Sequence, residues 1–213
     1  MSHGRFVVLE GIDGAGTTTQ AALLAKRLKS GGTAVRTTRE PSDGPVGTLI
    51  RQVLSGRIVG PGGLAPGWET MALLFAADRM DHVETEIEPF LANGGVVISD
   101  RYDASSLAYQ SVSSGRGGED AVSWIRTLNR YARRPDVTIV LDVPSDVAAG
   151  RREVRGEAAQ LYEQNEVQRS LVVFYRDLAR YMPKDRVVLV DATGSVEQVA
   201  ETIHAAYLGA FAT

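Results

Sequence analysis

Residues 11–18 (GIDGAGTT) have the composition of a loop that binds phosphate groups. They follow an apolar run ending at Glu10 and precede a segment with helical spacing, the context that such a loop needs between a strand and a helix. Small residues let backbone N–H groups converge on phosphate oxygens, and the helix N-terminus adds a partial positive charge. The alternative is a tight glycine turn without a ligand. The candidate contacts to a nucleoside triphosphate are Gly11, Ile12, Asp13, Gly14, Ala15, Gly16, Thr17 and Thr18.

Two threonines at the end of this loop have different expected consequences. Thr18 carries the hydroxyl that is placed to reach a magnesium ion. The residue before this hydroxyl is usually a lysine, and here it is Thr17. A charge-assisted contact of that kind is worth about 1.5–3 kcal/mol. The sequence therefore predicts either that another cation replaces the lysine or that catalysis is slower.

An arginine-rich segment offers the nearest replacement cations. Lysine is scarce in the chain, at Lys26, Lys29 and Lys184, and the first two lie two to three helical turns beyond the loop. Arg151 and Arg155 are four residues apart, so they share a helix face and could close over a triphosphate, with Arg152 beside them. The alternative is a solvated basic helix end.

Four apolar runs, each ending in an acidic residue, must position these groups. Their hydrophobicity is nearly continuous, which is typical of strands buried on both faces of a parallel sheet. The runs are residues 6–10, 96–100, 137–142 and 187–191, with a weaker run at 34–38. Helical spacing lies between them, at residues 19–28, 68–91, 121–132, 161–181 and 195–208. The alternation predicts a doubly wound α/β fold, with ligands beyond the carboxyl ends of the strands.

Length and composition narrow the class of protein. A chain of 213 residues with 44% hydrophobic content predicts one domain over residues 1–213, and the glycine-rich residues 60–67 predict a surface loop within it. A net charge of −3 argues against nucleic acid as a partner. The chain has no cysteine, which excludes disulfides and thiolate metal sites and favours the cytoplasm. With no signal-peptide pattern and no apolar run near 18 residues, we expect no membrane association.

Six stretches in the same order resemble the bacterial thymidylate kinases, and the similarity extends over nearly the whole chain. They are residues 10–16, 38–41, 74–79, 100–102, 105–110 and 134–136. The resemblance implies a P-loop NTPase fold of three αβα layers with a five-stranded parallel sheet. It also implies a homodimer that uses ATP and Mg²⁺ and transfers the γ-phosphoryl group to dTMP.

The resemblance implies that several residues bind the acceptor nucleotide. Phe75 would stack on thymine and Arg79 would contact the nucleotide one turn later, although an apolar helix position is more commonly core. Arg101 and Arg51 would hold the acceptor phosphate as planar forks. The stretch that reads the thymine edge and the sugar would comprise Ser106, Tyr109 and Gln110. Glu40, Pro41 and Tyr162 complete the implied substrate contacts.

The resemblance also implies the metal ligands, Thr18, Asp100 and Glu163, within a site closed by a lid around residues 148–163. The candidate catalytic residues are Asp13, Asp100, Arg101, Arg151, Arg152 and Arg155. The lid departs from the family pattern at Gln160 and Leu161, where an Asp-Arg pair is usual. Two alternatives remain: a nucleotide-binding relative that has lost catalysis with its lysine, and a kinase for another nucleoside monophosphate. The isolated histidines have no spacing that assigns them a role.

Overall fold

The computed structural model describes residues 4–115, 119–155 and 165–212. Its strands are β1 (Arg5–Gly11), β2 (Val35–Arg39), β3 (Val96–Asp100), β4 (Val137–Asp142) and β5 (Val187–Asp191). They form a five-stranded parallel sheet in the order β2-β3-β1-β4-β5. The α/β fold predicted from the apolar runs is therefore confirmed, including the weaker run that became β2.

Helices connect the strands. They are α1 (Thr17–Ser30), α2 (Pro45–Leu54), α3 (Trp68–His82), α4 (Glu88–Ala92), α5 (Asp103–Ser113), α6 (Glu119–Leu128), α7 (Ser145–Arg155), α8 (Asn165–Arg176), α9 (Leu178–Tyr181) and α10 (Val196–Phe211). A wide π-type turn at Val83–Ile87 joins α3 to α4. Over the part of the chain that the structure describes, no helix is both long enough and apolar enough to cross a bilayer.

The central strand explains why the apolar runs are continuous. Along β1, Val7 and Leu9 belong to the large apolar cluster that includes residues of α1 and α10. Phe6 and Val8 belong to a second cluster, together with Ile87. Successive side chains of a strand point to opposite faces, and every position from Phe6 to Gly11 is buried. Hydrophobicity therefore does not alternate, because neither face of this stretch of β1 meets solvent.

Most predicted helices occur, with shifted ends. The helix predicted over 121–132 ends at Leu128, where the side-chain amide and the backbone N–H of Asn129 both bond to the carbonyl of Ile125. The helix predicted over 68–91 is interrupted at the π-type turn, just before Pro89 in the first turn of α4, which has no N–H to continue the ladder. The helix predicted over 161–181 is seen as α8 and α9, and its first four positions lie outside the described residues.

The glycine-rich loop over residues 60–67 is exposed over most of its length, as predicted. Its local order is a single 3₁₀ turn at Pro61–Gly63. Two of the glycines in it, Gly62 and Gly63, have positive φ angles of 77°. Such a backbone suits glycine and prevents the turn from continuing as a helix.

Candidate active site

The glycine loop lies between β1 and α1, as its sequence context predicted. Gly16, the residue before α1, has a φ of 98°, and Gly14 has a φ of 93°. A Cβ atom at Gly14 would lie 2.4 Å from the carbonyl oxygen of Ala148, so α7 packs directly on the loop backbone. Glycine is required here both for the left-handed backbone and for this close approach.

The arginines of α7 rest on the same loop. The Arg152 guanidinium donates to the carbonyl oxygen of Asp13. Arg151 donates to the carbonyl oxygens of Ala15, at 3.3 Å, and Ala192, at 2.9 Å. The backbone of Arg155 belongs to α7, but its side chain lies outside the described residues, as do Tyr162 and Glu163. Two of the three predicted arginines therefore lie beside the loop that has Thr17 in place of lysine.

Thr18 and Asp100 meet where β1 and β3 end. The Thr18 hydroxyl donates to Oδ2 of Asp100. Oδ1 of Asp100 is buried and has no hydrogen-bond partner among the described residues. A hydroxyl beside a carboxylate with a spare oxygen is the donor chemistry that Mg²⁺ prefers. The two residues could therefore hold the ion together with phosphate oxygens, although within the described ranges no group of three His, Cys, Asp or Glu side chains is arranged to hold a metal ion.

Arg101 lies between the glycine loop and a neighbouring cleft. Its guanidinium donates to the Gly11 carbonyl at 2.9 Å and pairs with Oδ1 of Asp13 at 2.6 Å. It also lies over the Tyr109 ring, 5.2 Å from the centroid. Burial disfavours the charged form, but Tyr109 and Asp13 outweigh burial and raise the pKa of Arg101 well above its usual value. A permanent cation therefore lies between the loop and this cleft.

This cleft, termed the acceptor cleft below, gathers most of the predicted substrate contacts. It adjoins the loop at Asp13 and Arg101. Its walls come from α2, α3 and α5 and from the turns that follow β1, β2 and β3. The lining residues are Asp13, Glu40, Pro41, Leu54, Phe75, Arg79, Arg101, Tyr102, Ser105, Ser106, Tyr109 and Gln110. The three residues expected to share one face of α5, Ser106, Tyr109 and Gln110, do so.

A buried polar network forms one wall of the acceptor cleft. Arg79 pairs with Oε2 of Glu40 at 2.5 Å and donates to Ser106 Oγ at 3.0 Å. Burial disfavours the charged form of Arg79, but the Glu40 carboxylate raises its pKa above the usual value. The other Glu40 oxygen lies 3.3 Å from Nδ1 of His82, whose Nε2 lies 2.7 Å from the Thr38 hydroxyl. His82, to which the sequence assigned no role, supports this wall from behind.

Phe75 and Gln110 face the acceptor cleft with different chemistry. Phe75 is half-buried and packs against the small apolar cluster of Ile50, Val53 and Met71. Gln110 is buried, yet neither its amide nitrogen nor its amide oxygen has a hydrogen-bond partner among the described residues. Each unsatisfied buried polar group costs about 1–3 kcal/mol. A ligand that both donates and accepts would satisfy this amide.

Arg51, predicted beside Arg101, lies just outside the cleft wall. It donates to the carbonyl of Pro41 at 2.9 Å and to the Thr48 hydroxyl at 3.1 Å. Pro41 itself lines the acceptor cleft. Arg51 is therefore one hydrogen bond removed from that cleft.

A second cleft on the other side of the loop was missed by sequence reasoning. It is lined by Gly14, Ala15, Gly16, Thr19, Gln20, Val147, Gly150, Arg151, Val154, Ala192, Gly194, Val196 and Val199. Val147, Val154 and Val196 are exposed there despite their apolar side chains. They come from α7 and from the start of α10, so no local pattern could have grouped them. We call this region the donor cleft.

A parallel sheet whose first strand leads into a glycine loop and a helix, with a cleft on each side of that loop, defines a P-loop nucleotide-binding fold. The thymidylate kinase family matches residues 9–203. A probable thymidylate kinase of Pyrococcus abyssi is 44% identical over 202 residues, covering 94% of each chain. A thymidylate kinase of Rhodopseudomonas palustris is 40% identical over 212 residues, covering 96% of this chain and 89% of the other. The chain belongs to the thymidylate kinase family.

Proposed function

We propose that this protein transfers the γ-phosphoryl group of ATP to dTMP, giving dTDP. The observation that carries the proposal is the buried Gln110 amide, unpartnered among the described residues, in a cleft that also contains Phe75 and Arg79. An amide that can donate and accept at once matches a pyrimidine edge. Arg101 lies between this cleft and the glycine loop, which is where an acceptor phosphate must meet the donor.

The acceptor cleft would hold dTMP in one orientation. Phe75 stacks on thymine, while Arg79, Ser106 and Gln110 read the base edge. Tyr109 and Tyr162 contact the sugar, and Glu40 and Pro41 close the wall. Arg101 and Arg51 bind the acceptor phosphate, because a planar guanidinium donates two parallel bonds to such an anion. Arg51 would give up its bond to the Pro41 carbonyl to do so.

The donor cleft would hold ATP, with the backbone amides of Asp13 to Thr18 around its phosphates. The exposed side chains of Val147, Val154 and Val196 offer an apolar surface for the base. Thr18, Asp100 and Glu163 would be the protein ligands of Mg²⁺. The ion, when bound, neutralises charge on the phosphates.

Arginines would take over the role of the absent lysine. Arg151 and Arg152 already lie on the loop backbone, and Arg155 is one turn beyond Arg151. Asp13 would hold Arg101 beside the loop, and Asp100 would hold the metal site. The guanidiniums of α7 would neutralise the transferring phosphoryl group. An arginine acting in this way contributes about 10³–10⁵ in rate. The segment 148–163 would close over ATP as a lid on a single domain of residues 1–213.

We further propose a cytoplasmic homodimer of the bacterial type. Leu73, Ala77 and Met80 are exposed on one face of α3, at spacings of four and three residues. An apolar stripe of this kind is suited to packing against a second copy. The opposite side of the same helix carries Arg79 into the acceptor cleft.

A coupled assay of ADP release tests this function. The protein is supplied with ATP and Mg²⁺ and with dTMP, dUMP, dCMP or thymidine in parallel. Turnover selective for dTMP is the expected result. Turnover with another monophosphate would reassign the acceptor. No turnover, with dTMP still raising the melting temperature, would identify a nucleotide-binding protein whose catalysis was lost with the lysine at position 17.

A further inference from the structure

Glu10 is a fully buried acid in β1, directly before the glycine loop. Its Oε1 accepts hydrogen bonds from the backbone N–H groups of Tyr102, at 2.8 Å, and Ser105, at 3.1 Å. Its Oε2 accepts from the Ser105 hydroxyl at 2.6 Å and from the Tyr175 hydroxyl at 2.9 Å. Four donors converge on one carboxylate, so the ionised group, which can only accept, is fully satisfied.

Two of these bonds cap α5 from a different part of the chain. The first N–H groups of a helix have no partner within the helix and usually bond to a local side chain. The residue before α5, Tyr102, provides no such side-chain cap. Glu10 accepts from Tyr102 and from Ser105, the third residue of α5, and its negative charge suits a helix N-terminus. The start of α5 is thereby attached to β1.

The same carboxylate acts on Arg101 through Ser105. Arg101 has a φ of 71°, a left-handed backbone that is unfavourable for a residue other than glycine. Its Nη1 lies 3.2 Å from the Ser105 hydroxyl, which itself donates to Glu10. Its Nη2 reaches Asp13 in the glycine loop. The position of the guanidinium therefore depends on a hydroxyl that Glu10 holds in place.

We infer that Glu10 is a positioning residue for the acceptor nucleotide, because it fixes the start of α5 and, through Ser105, the guanidinium of Arg101. The inference rests on the proposed function. Glu10 touches no reacting atom; it acts through the residues that do. The sequence marked it as the acidic end of an apolar run and as the first residue of a stretch that carries the family resemblance, without assigning it a role.

The positioning role of Glu10 should depend on pH, because the carboxylate can be protonated. Burial raises the pKa of Glu10 from 4.5 to about 7, against the opposing effects of Arg101 and its hydrogen bonds. The ionisable groups facing it are Arg101, from the turn between β3 and α5, and Tyr175, from α8. Burial raises the pKa of Tyr175 well above its usual value, so that hydroxyl stays protonated. Glu10 therefore changes charge near neutral pH while its neighbours do not.

The substitution Glu10→Gln tests the inference. The amide has the same shape, but its NH₂ group must donate, so it competes with Arg101 for the Ser105 hydroxyl. We expect KM for dTMP to rise about tenfold, the effect of one charge-assisted hydrogen bond, with KM for ATP unchanged. The comparison variant is Tyr175→Phe, which removes another bond to Oε2 and the 3.1 Å contact of that hydroxyl with Ser105, but leaves the Ser105 hydroxyl bonded to Glu10 and Arg101. KM for dTMP should not change in that variant.

A pH profile separates positioning from a purely structural role. The ratio of KM for dTMP in the glutamine variant to that in the wild type should fall from about ten near pH 8.5 to about one near pH 5.5, as Glu10 becomes protonated. Titration of the substrate phosphate, whose second pKa is about 6, cancels in this ratio. A ratio near one at every pH, with both variants merely less stable, would overturn the inference.

Two further results keep the outcome unambiguous. If Glu10→Gln does not fold, Ser105→Ala removes the hydroxyl between Glu10 and Arg101 and should also raise KM for dTMP alone. An unchanged KM in that variant would contradict the inference. Failure of the proposed function itself is distinct, because the wild-type protein would then show no turnover of dTMP, whatever the state of Glu10.

Discussion

The acceptor cleft and the donor cleft are built in different ways. The acceptor cleft is held by buried side chains that bind one another, such as Arg79, Glu40 and Ser106. The donor cleft is formed by loop backbone, by arginines that donate to carbonyl oxygens and by exposed valines. Buried networks preorganise a site, whereas exposed groups must be ordered by the ligand. We therefore expect the acceptor side to be shaped before binding and the donor side to gain order when ATP binds.

The largest effect should come from the arginines on the donor side. Replacing Arg151 and Arg155 together by alanine should lower kcat by about 10³, because two of the three guanidiniums proposed to replace the absent lysine are lost. The measurement is steady-state turnover of dTMP at saturating ATP. The matched control is the exposed pair Arg126 and Arg130, which have the same spacing and line a different groove. Unchanged kcat after loss of Arg151 and Arg155 would remove them from catalysis.

A smaller effect is expected at Gln110, with a signature in stability. Gln110→Leu should weaken dTMP binding about 10- to 100-fold, while the nucleotide-free protein becomes about 1 kcal/mol more stable, since an unsatisfied buried amide is removed. Calorimetric titration and urea unfolding measure the two quantities. Ser111→Ala is the control, because its buried hydroxyl is likewise unpartnered among the described residues but does not line the cleft. If Gln110→Leu is less stable and still binds dTMP normally, the amide stabilises the fold and does not bind the nucleotide.

The smallest effect is expected from restoring the lysine. Thr17→Lys should lower KM for ATP about tenfold, by adding one charge-assisted phosphate contact. Thr17→Met is the control for side-chain length without charge. In the protein that lacks Arg151 and Arg155, the same lysine should also recover part of kcat. If Thr17→Lys improves neither KM for ATP in the wild type nor kcat in the protein that lacks Arg151 and Arg155, the side chain at position 17 does not reach the phosphates.

The fold and the acceptor cleft were accessible from the sequence for different reasons. Continuous apolar runs report burial on both faces, which is a local consequence of a parallel sheet. Glu40, Phe75 and Gln110 lie in short motifs that carry a family resemblance, and the structure brings them together. The roles of these residues stay predictions until they are measured.

The missed features depend on contacts between distant segments. The donor cleft combines Val147 with Val196, and Glu10 caps a helix that begins more than ninety residues later. His82 had no neighbouring ligand in the sequence, yet Glu40 and Thr38 meet it in space. No periodicity or spacing records such pairs, because the fold alone creates them.

The close approach of Gly14 to Ala148 makes the position of α7 depend on the residue at position 14. The loop and α7 touch without an intervening side chain, so a single methyl group at position 14 would push the helix away. Arg151 and Arg152 would move with it and leave the carbonyl groups they now contact. Position 14 should therefore remain glycine whatever residue stands at position 148, because the group it would strike is a backbone oxygen that every residue carries. A substitution at Gly14 would therefore remove two positive charges from the loop without changing either arginine.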